Sequence, residues 1–224
     1  MEARVYRGRL ACWASLVALI AGLNYYARFT SSSSTGSARD AVYSWSGFAS
    51  GMIVYGIWRG FVLAIALDHT ELLALRRPQS WRRGAAWCAG AIAAIYAVSA
   101  LVSLIPLPQS PSNEQGLTPT GWEPKHAAAF AANVALLAVV APFVEELTFR
   151  GLGQSLLRFL GRWPSILLVG VAFGATHGLL EALLVLVPFG IVLAYVRDRT
   201  ESVYPGMVVH ALFNGTALAF SVLT

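Results

Sequence analysis

The sequence predicts an all-α, polytopic transmembrane helix bundle of about seven spans, with its reactive residues inside the bundle. Hydrophobic residues make up 57% of the 224 and charged residues only 12%, against roughly a quarter charged in soluble domains. Mean hydropathy is +0.62. Apolar runs recur along the chain, several of them near the length of about 20 residues that crosses a ~30 Å hydrocarbon core at ~1.5 Å per residue. Together these features exclude an ordinary soluble domain.

Arg4, Arg7 and Arg9 precede the first apolar run, Leu10 to Tyr26. A charged start before an apolar middle also describes a signal peptide, but no small-residue Ala-x-Ala site follows, so a retained first helix is expected. Ser31 to Ser37 reads as a flexible polar linker. A second span runs from Val42 to Leu67 and carries Arg59 in its interior, either paired with a carboxylate or snorkelling to an interface. Asp68 to Arg83 is a polar loop, and the third span, Gly84 to Ile105, is ended by Pro106 and Pro108. The stretch from there to Lys125 reads as an exposed loop.

A fourth span begins near Ala127 and ends in Glu145-Glu146. The residues that follow, to Trp163, place Leu152, Leu156, Leu157 and Leu160 at helical spacing among Arg150, Arg158 and Arg162, as in a segment lying along the membrane surface. Pro164 opens a fifth span, a sixth runs from Ala182 to Val196, and Pro205 opens a seventh. The expected division is an N-terminal part, 1–126, of helices and loops, and a catalytic helix core, 127–224, within one structural domain. Depth is open on this reading, because His177 follows Pro164 by some thirteen residues, about 20 Å of helix. Either span 4 and the amphipathic stretch form one long tilted helix, or span 5 starts outside the hydrocarbon.

Lys125 is the single lysine among sixteen basic residues. Twelve of the arginines fall before span 1, between spans 2 and 3, between 4 and 5, and between 6 and 7. The other side carries only Arg28, Arg39 and Lys125. By the positive-inside rule the N-terminus is cytoplasmic and the C-terminus outside. The net charge of +5 therefore reports topology and no nucleic-acid surface. The arginine and alanine bias fits a bacterial plasma membrane protein. Cys12 and Cys88 lie in apolar runs and read as small core hydrophobes.

Three polar constellations stand out against this apolar background, where an ionised side chain costs at least about 2.5 kcal/mol. In Glu145-Glu146-x-x-x-Arg150, helical neighbours differ by ~100°, so Glu146 pairs with Arg150 one turn on while Glu145 is free to face a cavity. The plain alternative makes both glutamates the wet end of span 4. In Phe173-x-x-x-His177, the histidine lies beside a ridge of Gly170, Gly174 and Gly178 and one turn before Glu181, which could orient it. The alternative is a histidine bonded to a backbone carbonyl. In His210-x-x-x-Asn214, two donors share one helical face, the arrangement that holds a developing oxyanion, or simply polar glue between helices. His69 and His126 sit at loop positions and read as solvated. A carboxylate and an imidazole around one water, opposite a His/Asn pair, make a peptide-hydrolysing site without a nucleophilic side chain.

These three motifs, in this order on successive spans, resemble those of the CPBP family of intramembrane proteases, which includes the CAAX prenyl endopeptidases and the bacterial Abi-type proteins. The resemblance covers Ala127 to Phe220. It implies an endopeptidase cutting a membrane-associated peptide or protein in the lipid bilayer by CAAX-type, leader or C-terminal processing. Glu145 would be the water-activating base assisted by His177, His210 and Asn214 the oxyanion site, and Glu146 and Arg150 their support. It leaves the cofactor as either none or one zinc ion. Glu145, His177 and His210 could supply three zinc ligands, although the His-Glu-x-x-His helix of soluble zinc proteases is absent. The competing readings are a non-catalytic immunity or scaffold protein of the same fold and a proton-coupled transporter. The latter is disfavoured by the lack of a visible repeat.

Overall fold

The computed structural model describes residues 3–30, 41–105 and 121–223. The Ser31–Ser37 linker, Arg39 and the proline-rich stretch 106–120 lie outside them. Every regular element among the described residues is helical. Seven long helices correspond to the seven apolar segments: α1 (Ala3–Thr30), α2 (Trp45–Ala66), α3 (Trp81–Ser103), α4 (Pro124–Leu156), α5 (Arg162–Ala175), α6 (Leu183–Thr200) and α7 (Tyr204–Leu223). Five of these, α1 to α4 and α7, are long and apolar enough to cross a membrane, whereas α5 is a shorter apolar helix. The chain is an integral membrane protein, and the large apolar side chains exposed on its outer faces, such as Leu19, Ile53, Ile57, Phe61, Leu101 and Val171, fit a lipid solvent.

Serines start two of the helices. Ser44 accepts from the Gly47 amide at 2.9 Å and Ser80 from the Arg83 amide at 3.4 Å, each occupying an amide that has no partner in the first turn. Asn133, buried in α4, donates to the Val42, Ser44 and Ala129 carbonyls at 3.0 Å, which ties the start of α2 to α4. At the other end of α2, Arg9 of α1 donates to the Ile65 and Ala66 carbonyls, groups that a helix C-terminus leaves open. Arg59 is exposed on the outer face of α2, so of its two expected placements the one inside the bundle is not adopted.

The long helix α4 is the axis of the bundle; α1, α2, α5, α6 and α7 all pack on it. It does not stop at the glutamates. It continues through them to Leu156, and the first part of the stretch expected on the membrane surface is instead in the core: Arg150, Leu152 and Leu156 have no exposure, whereas Arg158, Leu160 and Arg162 beyond the helix end are exposed. The leucine periodicity was real, but the face opposite it is covered too. Trp13 of α1 donates to the Thr148 carbonyl at 2.9 Å, Tyr6 to the Leu156 carbonyl, and Gln154 to the Ala194 carbonyl of α6 at 3.0 Å. The fourth span and the first part of the stretch after it thus form one long helix, Pro124–Leu156. From the turn at 157–161, α5 runs back beside α4, about 22 Å to His177 against about 16 Å back to Glu145.

α5 and α6 form the closest helix pair. Gly170 lies against Gly190 and Ile191, so close that a Cβ on Gly190 would come within 2.8 Å of the Gly170 backbone. The first part of the expected glycine ridge is thus the α5–α6 contact, as small residues permit. Gly178 differs: with φ +67 it lies beyond the end of α5 and faces Asn24 of α1. At the far end of α6, Arg197 donates to Ser155 at 2.7 Å. Burial, then Arg158 and Arg76 nearby, pull its guanidinium down to about 10, so it is still charged at neutral pH. Cys12 and Cys88 are free.

Candidate active site

Local chain geometry around the glutamates departs from an ordinary α-helix. Two π-helical segments, Leu136–Val140 and Leu147–Gly153, flank the α-helical turn Ala141–Glu146. Such widened turns are frequent at functional sites. The first has a cause in the sequence. Pro142 has no N–H and its ring crowds the carbonyl four residues earlier, and the helix widens just ahead of it. The Ala141 amide then reaches back to the Leu136 carbonyl. This frees the Leu137 carbonyl, whose next donor in the widened register would be Pro142. Asn214 of α7 fills the gap, donating through Nδ2 to the Leu137 carbonyl at 3.0 Å.

Glu145 and Glu146 are 7% and 0% exposed, so they do not mark a wet helix end. Although they point in different directions, they bracket one imidazole. His210 Nδ1 lies 3.0 Å from Glu146 Oε1, and its Nε2 lies 3.7 Å from Glu145 Oε2. Arg150 donates to the same Glu146 Oε1 at 2.8 Å and to the Gly190 carbonyl at 3.2 Å. A carboxylate held by a buried guanidinium accepts only, so His210 Nδ1 is the donor. A second donor on Nε2 then requires the imidazolium, for which the two glutamates provide counter-charge.

Phe173 is fully buried and is the surface on which a guanidinium and two imidazoles meet. The Arg150 guanidinium carbon lies 4.3 Å from its ring centroid, the His177 ring 4.7 Å and the His210 ring 5.6 Å. His177 stands just past the last residue of α5. Its Nδ1 is 2.8 Å from the Phe173 carbonyl; because a carbonyl only accepts, Nδ1 carries a hydrogen, and in the neutral ring Nε2 is then the free base. Glu145, His210 and Arg150 all lie within electrostatic range of this ring. Glu181 does not share a helix with His177, because α5 ends at Ala175 and the left-handed Gly178 intervenes. The group that orients the imidazole is the Phe173 carbonyl.

Several residues of this site were not distinguished in the sequence. Tyr55 of α2 donates to Glu145 Oε1 at 3.3 Å. Phe189 of α6 meets the His210 ring edge-on at 4.9 Å and stacks with Phe173 at 5.6 Å. Gly206 of α7 lies so close to Glu146 Oε2 that a Cβ there would be 2.7 Å away. A tyrosine, a phenylalanine and a glycine in apolar spans carry no signal separating them from packing residues. By contrast, His69 stands in a loop and His126 in the first turn of α4, each beside an acidic partner, Glu71 and Glu123.

The donor types at Glu145, His177 and His210 suit zinc, but their spacing does not form a set. Among the described residues no three of His, Cys, Asp and Glu gather closely enough to hold a metal ion. The residues as placed do not fit a bound zinc.

No curated protein and no solved structure matches the chain. Residues 127–216, which run from the start of α4 into α7 and contain Glu145, His177, His210 and Asn214, match the family model of the Rce1-like type II CAAX prenyl endopeptidases, the CAAX protease family that the three motifs resemble.

Proposed function

We propose that the protein is an intramembrane endopeptidase that hydrolyses a peptide bond near the end of a membrane-associated protein or peptide, using water activated by Glu145 and His177. The observation that supports it is that Glu145 faces His210 at 3.7 Å while the His210 and His177 rings both rest on Phe173 inside the bundle. Isolated buried charges would be too costly to keep there without a use.

In this reading the ionised Glu145 takes a proton from water, assisted by the free Nε2 of His177, as the water oxygen bonds to the scissile carbonyl carbon. The oxyanion that forms is met by Nε2–H of the His210 imidazolium and by the remaining amide hydrogen of Asn214. The proton held at Glu145 then passes to the departing amine as the C–N bond breaks, leaving a new carboxylate and a new amine. Glu146 and Arg150 hold His210 in place. The substrate is a membrane-associated peptide of CAAX type or one processed at a leader or C-terminal segment, reached in a bacterial plasma membrane with the N-terminus of the enzyme cytoplasmic.

The test is cleavage of a farnesylated peptide ending in Cys-aliphatic-aliphatic-X by the purified protein. Glu145→Gln and His177→Ala should each lower the rate by about 10²- to 10⁴-fold while the thermal transition is retained. Unchanged turnover in both variants removes the mechanism; no cleavage by the wild type, with a cellular phenotype that survives Glu145→Ala, favours a binding or immunity role for the same fold.

A further inference from the structure

We infer that Tyr55 is a positioning residue for Glu145, contributed by a helix outside the segment that matches the family model. This rests on the reading of Glu145 as the base. Tyr55 belongs to α2, whereas the matched residues begin at 127. Its hydroxyl donates to Glu145 Oε1 at 3.3 Å, while the other oxygen of that carboxylate faces His210 Nε2 at 3.7 Å. The carboxylate is therefore held from two sides, by α2 and by α7. An O–H···O contact of 3.3 Å is long, as catalytic hydrogen bonds often are before substrate is bound.

The phenol is itself held. The Tyr55 ring stacks on Trp58 one turn along at 5.7 Å and 13°, and Trp58 meets Phe149 of α4 edge-on at 6.4 Å. The Tyr55 ring is therefore tied to the helix that carries Glu145. The other charged or titratable groups around Glu145 are His210 from α7, His177 from the end of α5, and Glu146 and Arg150 on α4 itself. Arg150 and His210 are already engaged with Glu146, and a hydrogen bond from the Tyr55 hydroxyl supports the ionised form of Glu145 without adding a charge. It also turns the carboxylate so that Oε2 faces the bundle interior.

Tyr55→Phe removes the donor and keeps the ring on Trp58. With the farnesylated peptide as probe, the acidic limb of the pH profile of kcat/KM should move to higher pH by about one unit, with KM little changed. Placing 3-fluorotyrosine at 55, a stronger donor, should move the limb the other way. An infrared pH titration of the free protein reads the same contact without substrate. The carboxyl band that disappears in Glu145→Gln should appear at higher pH in Tyr55→Phe. Coincident limbs and bands in wild type and Tyr55→Phe overturn the inference, as does a uniform rate loss with neither moved. A wild-type protein that leaves the peptide uncut overturns the base reading and the catalytic use of Tyr55 with it, and the band titration then shows that the failure lies with the function rather than with the contact.

Discussion

His210 Nδ1 donates to Glu146 Oε1 across 3.0 Å, and that oxygen also accepts from Arg150 at 2.8 Å. One buried carboxylate oxygen thus joins α4 to α7. Its other oxygen has no hydrogen-bond partner and rests against Gly206, so the pairing depends on Oε1 alone. The side chains of Glu146 and Arg150 have no exposure, which puts them in the regime where removing one partner leaves an unpaired buried charge.

The expected consequence is asymmetric. Glu146→Gln should destabilise the protein by about 3 to 5 kcal/mol, since Arg150 loses its counter-charge, whereas replacing both partners, as Glu146→Leu with Arg150→Met, should recover much of the loss. Thermal or denaturant unfolding in detergent checks both. Equal stabilities for wild type and Glu146→Gln would show that the pair does not hold the bundle.

Asn214 should matter to stability through a backbone defect that Pro142 creates. Asn214→Ala leaves the Leu137 carbonyl without its donor and should cost about 1 to 3 kcal/mol. In a Pro142→Ala background the chain regains an N–H next to that carbonyl, so the same asparagine substitution should cost less. A double-mutant cycle on unfolding free energy measures the difference. Strictly additive costs would mean that Asn214 and the widened turn are independent.

Chelation separates the two versions of the chemistry that the sequence left open. Because Glu145, His177 and His210 do not gather into a three-ligand set, cleavage of the farnesylated peptide should survive exhaustive chelation, with no stoichiometric metal in the active protein. Loss of activity on chelation, with recovery on adding zinc, would replace the glutamate mechanism with a metal one.

Much of the fold was legible in the chain because it is set by local chemistry. The seven apolar runs are each helical, the prolines at 164 and 205 fall in first turns, and the glycines at 170 and 174 mark a close helix contact. The helix end placed at Glu146 was wrong for a local reason as well. Charge and amphipathic spacing after it resemble a surface segment, and only the cover supplied by α1, the short helical turn Thr70–Leu73 against Gly151, α5 and α6 makes Arg150 and Leu152 interior.

By itself the sequence determined the membrane class, the helices and the polar residues that are candidates for the chemistry, because hydropathy, period and residue type are properties of nearby positions. Only the tertiary structure decided which of those residues meet. That Glu146 holds His210, that Asn214 closes a carbonyl opened by Pro142, that the Phe173 carbonyl rather than Glu181 orients His177, and that Tyr55 reaches Glu145 are relations set by helix packing. Apart from the Phe173 bond, these contacts span 64 to 90 positions of chain. No periodicity within one span encodes which turn of another helix it will face. The Phe173 bond is local in sequence, but the left-handed Gly178 ends the helix that would otherwise have placed Glu181 one turn beyond His177.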